Sequence, residues 1–174
     1  MTSEPWWALA GVVFGFCLGE GSRYLRYRWD LCRKRSLVKE ELRSVLSQLP
    51  QKADILRQAI AKLRNKQVLP MVSVHAITTG YSGALSDLYP RLSLIERNCL
   101  HVIYERLRVA DEVMDSFDKD IVAALRDKVV GDPWTAYADR LEDILCSLGI
   151  VEQLTKSYLS GKPVDVFNTS QAKS

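Results

Sequence analysis

Residues 38–49, VKEELRSVLSQL, place Val38, Leu42, Val45 and Leu49 at steps of four, three and four. That spacing lines four branched apolar side chains along one stripe of an α-helix and leaves charged residues on the opposite side. A stripe of this kind is stable only against other helices, so it predicts a bundle. Pro50 interrupts the pattern, yet Leu56, Ile60 and Leu63 resume it in nearly the same register. The reading preferred here is one long helix kinked at Pro50, with a new helix beginning at that proline as the alternative.

Upstream, no glycine or proline occurs from Ser22 to Leu49, so the helix is expected to continue toward the N-terminus. There it meets an uncharged run of thirteen residues from Trp6 to Leu18, overlapped by GVVFGFCLG at 11–19. The chain start, MTSEP, has Glu4 as its only charged side chain, and no small-residue cleavage site follows the run, so a removable signal peptide is not expected. Trp6 and Trp7 precede the run and Tyr24, Tyr27 and Trp29 follow it, as rings at two water–lipid boundaries would. Trp7 to Tyr24 corresponds to roughly 25 Å of helix, a short span that bilayer thinning and snorkelling of Arg23 and Arg26 can accommodate. With Arg23, Arg26, Arg28, Arg33, Lys34 and Arg35 all on the C-terminal side, the expected topology is single-pass in the cell inner membrane, N-terminus outside and body in the cytoplasm. Gly11, Gly15 and Gly19 form two overlapping GxxxG units, which in lipid favour close helix packing and a homo-oligomer. Glu20 is expected to pair with Arg23 one turn later.

Residues 67–83, QVLPMVSVHAITTGYSG, break the helical pattern and read as a loop around a short helix. From Ser86 apolar residues recur at helical spacing through Leu88, Leu92, Ile95, Cys99, Val102 and Ile103 and on to Leu125, with Pro90 placed in the first turn, a break suggested near Ser116 and a stop at Gly131. Asp132-Pro133 supplies a cap and a first-turn proline for the last helix, which carries Trp134, Tyr137, Leu141, Ile144, Leu148 and Val151 and ends at Gly161-Lys162-Pro163. Nothing alternates with period two over a sustained stretch. The expected fold is therefore all-α: an N-terminal transmembrane anchor (1–28), a juxtamembrane basic helix (29–66), a helical domain (67–161) that completes a bundle of three or four helices, and a flexible tail (162–174).

The formal charge of +3 hides a strong asymmetry, because residues 23–66 hold thirteen Lys/Arg against four Asp/Glu. Mutual fit between this basic part and the acidic later helices is the ordinary use of such a pattern, and attraction to anionic lipid is a second. Four scattered cysteines and two histidines, His75 and His101, make neither a metal set nor a disulfide framework. No metal or cofactor is expected, and no catalytic motif such as a P-loop or GxSxG occurs. The region around Ser73–Gly83 collects His75, Thr78, Thr79, Tyr81 and Ser82, with Arg91 nearby, as a candidate pocket for phosphates and a stacked base, against the plainer reading of a polar connection.

Two resemblances follow from these residues. Arg97 and His101, one turn apart, resemble the Arg-polar-His motif of HEPN ribonucleases, although three residues separate them where that family has four to six; the resemblance implies a phosphate-steadying Arg and an acid/base His. The short anchor with Gly11, Gly15, Gly19 and Glu20 on a helical body resembles the small membrane effectors of bacterial antiviral defence, particularly those attached to type III CRISPR systems. That resemblance implies an oligomer that binds a cyclic oligoadenylate and disturbs the membrane. The functions kept open are such an effector or sensor, signalling through a cyclic oligonucleotide or a protein partner, a passive scaffold anchored to the lipid bilayer, and a ribonuclease. DNA is not expected among the partners.

Overall fold

A computed structural model describes residues 4–67, 79–126 and 132–166. Among these residues the secondary structure is entirely helical: α1 (Glu4–Arg64), α2 (Thr79–Leu88), a 3₁₀ turn (Tyr89–Arg91), α3 (Leu94–Arg126) and α4 (Pro133–Leu159). The all-helical expectation holds. The helix stop expected at Gly131 lies outside the described residues.

Pro50 sits inside α1 without ending it. Because the seam resumes after the proline, Leu49 and Leu56 both stay buried, and that packing offsets the hydrogen bond proline cannot donate. Every apolar residue of the α1 stripe, from Val38 through Leu63, is buried. Each such side chain contributes roughly 1.5–3 kcal/mol when fully removed from water.

Cross-helix contacts define the directions. Lys34 reaches Asp87 and Glu41 accepts from the Tyr81 amide, so α2 runs antiparallel to α1. Arg35 meets Glu96 and Lys52 meets Asp111, so α3 runs parallel to it. The contacts of Cys99 with Leu154 and Arg106 with Ser147 turn α4 back along α3. Three bundle elements therefore end at one level beside residues 27–35 of α1: the 3₁₀ turn, the start of α3 and the end of α4.

The helix ends are chemically specified. Asp132 accepts from the Trp134 amide ahead of Pro133, as the sequence suggests. Gly161, at φ +76°, closes α4 with Gly161 N–H to the Tyr158 carbonyl at 3.1 Å and Lys162 N–H to the Ser157 carbonyl at 3.1 Å. The same paired bonds close α1, but there Lys66 holds the left-handed position at φ 56° without glycine's freedom. Two expectations are corrected. Pro90 lies in the 3₁₀ turn and not in the first turn of a long helix, and α3 starts afresh at Leu94. The signal is a capping box: the Glu96 amide donates to Ser93 Oγ at 3.2 Å and the Ser93 amide to Glu96 Oε2 at 2.9 Å. No break occurs at Ser116, whose hydroxyl donates to Asp120 and to the Val113 carbonyl while α3 continues. Residues 162–166 follow α4 without helix, and Val166 packs partly against the core.

Measured by apolar length, α1 falls short of a spanning helix: among the described residues no helix is long and apolar enough to cross a membrane. The physical reason is local. The uncharged run of α1 ends at Gly19, before Glu20 and Arg23, and covers roughly 22 Å where a bilayer core is about 30 Å thick.

Candidate membrane-association site

Above the bundle, α1 continues as an arm with no other described element packed on it. Helical geometry distributes its residues over all sides, and all sides are apolar: Leu9, Val12, Val13, Phe14, Phe16 and Leu18 are each more than half exposed. Trp7 at 80% and Trp29 at 81% mark the two ends. An all-round apolar surface has no stripe to bury against one partner helix, in contrast to the stripe of residues 38–63. A patch of this kind on a folded protein is the mark of an interaction surface, for another protein or for a membrane.

Gly11, Gly15 and Gly19 follow one face of the arm, and a Cβ added at any of them would meet nothing within 4 Å. The ridge therefore serves no packing among the described residues. Glu20 and Arg23 pair at 3.0 Å, and Ser22 Oγ donates back to the Gly19 carbonyl at 2.8 Å. These local bonds compensate the first polar side chains after the apolar run.

Below them lies a belt of rings and arginines. Arg28 donates to the Tyr24 hydroxyl at 3.3 Å, and Arg91 of the 3₁₀ turn stands 5.8 Å from the centre of the Tyr27 ring. Arg26 and Arg33 are exposed and have no acidic partner among the described residues. Lys34 is held between Asp30 at 2.8 Å and Asp87 at 2.5 Å, and its pKa is raised first by the bond to Asp30 and then by that to Asp87. Burial acts to raise the Glu96 carboxyl, but bonds from Ser93 and the neighbouring Arg35 more than offset it and leave the group below the ordinary carboxylate range.

The candidate nucleotide pocket has a different appearance. His75 and Thr78 lie outside the described residues, and Thr79 begins α2. The Tyr81 ring is stacked on Tyr104, centroids 3.9 Å apart and 6° from parallel. Its amide donates to both Glu41 oxygens, at 3.2 and 3.3 Å. One face of the ring is thus taken, and the amide is held by the buried Glu41 carboxyl. Ser82 is exposed, and Arg91 is turned to Tyr27 at the far end of α2. Thr79, Tyr81 and Ser82 thus share the first turn of α2, and Arg91 lies in the 3₁₀ turn beyond its other end. Burial, and then the facing Glu41 carboxylate, raise the Tyr104 phenol well above its ordinary pKa; its hydroxyl has no hydrogen bond of normal geometry.

Arg97 donates Nε to the Leu92 carbonyl at 3.0 Å and lies 4.6 Å over the Tyr89 ring, while His101 is exposed one turn on. The guanidinium braces the 3₁₀ turn. Burial pushes the Cys99 thiol up to about 11, against a smaller opposing contribution from the Val164 backbone, so it is an inert core thiol. No group of three or more metal-ligating side chains occurs among the described residues.

One feature escaped sequence reasoning. Lys52 and Asp111, 3% and 7% exposed, form an ion pair inside the bundle. Both occupy seam positions of their helices, Lys52 between Leu49 and Leu56 and Asp111 between Leu107 and Met114, and a charge at such a position is the signal that would have found it. No protein-family model, no curated protein and no solved structure matches the chain.

Proposed function

We propose that the protein is a membrane-anchored helical effector module: the α1 arm enters the bilayer, and the bundle remains on the basic, cytoplasmic side. The observation that carries this reading is the arm itself, apolar on every side, exposed throughout and bounded by Trp6 and Trp7 at one end and Tyr24, Tyr27 and Trp29 at the other. Its short apolar run is accommodated by local thinning of the bilayer and by arginine stems reaching toward water. The unfilled glycine face supports association of arms from several copies, since close backbone approach is what attracts helices in lipid. Effector action is supported by continuity: α1 passes without interruption from arm to core, so a tilt or rotation of the bundle is delivered to the membrane segment.

The test is alkaline extraction and flotation of membranes carrying the full chain. The protein is expected to remain with the lipid at high pH; release into the supernatant would end the anchor reading. Changing Gly11, Gly15 and Gly19 together to Leu is expected to keep the protein in the membrane and abolish crosslinked oligomers. Unchanged crosslinking would remove the glycine face as the site of association, and absence of crosslinks in the unchanged chain would remove the oligomer and leave the passive scaffold.

A further inference from the structure

The arm is not the only apolar surface facing its own end of the bundle. Where the 3₁₀ turn meets α3, Tyr89 is 49% and Leu94 is 69% exposed, and Ile95 and Val164 are exposed beside them. None of these is needed by the core, which is closed at this end by Leu88, Leu92 and Cys99. The corner carries two arginines, Arg91 over Tyr27 and Arg97 over Tyr89, and neither has an acidic partner among the described residues. The neighbouring acids are already engaged, Asp87 by Lys34 and Glu96 by Arg35 and Ser93.

The level of this corner follows from its contacts. Its highest point is the Arg91 guanidinium at Tyr27, three residues or roughly 4.5 Å along α1 from Tyr24, while Asp87 and Glu96 on either side of the corner meet Lys34 and Arg35, roughly 15–17 Å from Tyr24. A headgroup layer is roughly 5–8 Å thick, so a bilayer boundary at Tyr24 places the Arg91 guanidinium within it, and the rest of the corner enters it when the bundle leans to that side. Side chains on a helix lean toward its N-terminus, which for α3 is the direction of the arm. Exposed Tyr and Leu between arginines is the composition of a surface that rests on anionic lipid.

The geometry points to a second bilayer contact: the Tyr89–Ile95 corner docks on anionic phospholipid headgroups beside the inserted arm, Tyr89 and Leu94 entering the boundary and Arg91 and Arg97, with Arg26 and Arg33 of α1, meeting the phosphates. This inference rests on the anchor reading and adds an orientation to it. A bundle held at two points has a fixed tilt to the membrane plane, whereas one on a single helix is free to swing.

The test uses the full chain with Cys17, Cys32 and Cys146 changed to Ser, leaving buried Cys99 in place. A single cysteine is introduced by Val12→Cys, Leu94→Cys or Lys119→Cys and labelled with an environment-sensitive dye. The vesicles contain phosphatidylcholine and phosphatidylglycerol with lipids spin-labelled both at mid-chain, to reach position 12, and at headgroup level, to reach position 94. Quenching of about threefold is expected at positions 12 and 94 and none at 119. Quenching at 12 alone would overturn the second contact and leave the anchor standing. Quenching at 94 alone would overturn the anchor, and at neither position both. Vesicles of phosphatidylcholine only, or the Arg91→Ala/Arg97→Ala pair, are expected to lower quenching at 94 about twofold; no change in either would overturn the role given to the arginines.

Discussion

The two halves of α1 are one helix with two chemistries. From Val38 to Leu63 apolar residues keep to a stripe and are buried; from Trp6 to Leu18 they cover every side and are exposed. Both halves are similarly helical, so backbone preference does not distinguish them. The distribution of side chains around the helix decides whether the second phase is a neighbouring helix or something outside the chain. A stripe specifies a partner in one direction, while an apolar surface on every side specifies no single direction.

Ion pairs mark the contrast most strongly. Lys52–Asp111 crosses from α1 to α3 within the core, whereas Glu20–Arg23 joins adjacent turns of an exposed arm. Removing Asp111 leaves an ammonium buried without its partner, and Asp111→Ala is expected to cost about 3–5 kcal/mol in denaturant unfolding. The double change Lys52→Met/Asp111→Leu removes both charges and is expected to recover most of that loss. Glu20→Ala is expected to leave the unfolding midpoint of the bundle unchanged. Equal losses from the two acids would erase the distinction between the halves.

Truncating a leucine in each half gives the next comparison. Leu42 is fully buried, so Leu42→Ala leaves a cavity and is expected to cost about 2–4 kcal/mol. Leu18 is 59% exposed on the arm, and Leu18→Ala is expected to change bundle stability by less than about 0.5 kcal/mol. Thermal unfolding in mild detergent measures both. A large loss from Leu18→Ala would mean that the arm folds back onto the body.

How much was legible in the sequence differs along the same line. The α1 stripe, the α4 stripe with its Asp132 cap and Gly161 stop, and the uninterrupted passage of α1 through Pro50 could all be read, because each depends on residues within one or two turns. The Lys52–Asp111 pair depends on the register between two helices, and no local pattern states which cation meets which acid. Tyr81 depends on register in the same way: as a loop tyrosine it suggests base stacking, and the fold sets Tyr104 against one of its faces. The Ser93–Glu96 box was local and readable, yet Pro90 drew the expected helix start several residues too early. The arm's exposure was legible as composition, and its shortness as a count of uncharged residues.

The smallest expected effect lies where the two halves meet. Glu96 ties the start of α3 to α1 through Arg35 and holds its own helix start through Ser93. Its carboxyl is below the ordinary range in the folded chain, so its contribution to stability is fully present above the unfolded pKa, near 4.3, and is lost as pH falls through the lower folded value. Glu96→Gln keeps the shape of the capping box and removes the charge. It is expected to cost about 1 kcal/mol at neutral pH, and the difference from the unchanged chain should shrink as the solution is taken below pH 4. Unfolding curves at several pH values check this sign. A difference that stayed constant with pH would mean that Glu96 acts here through shape alone, and that the junction between arm and bundle is held by Lys34, Asp87 and the Arg91–Tyr27 contact without it.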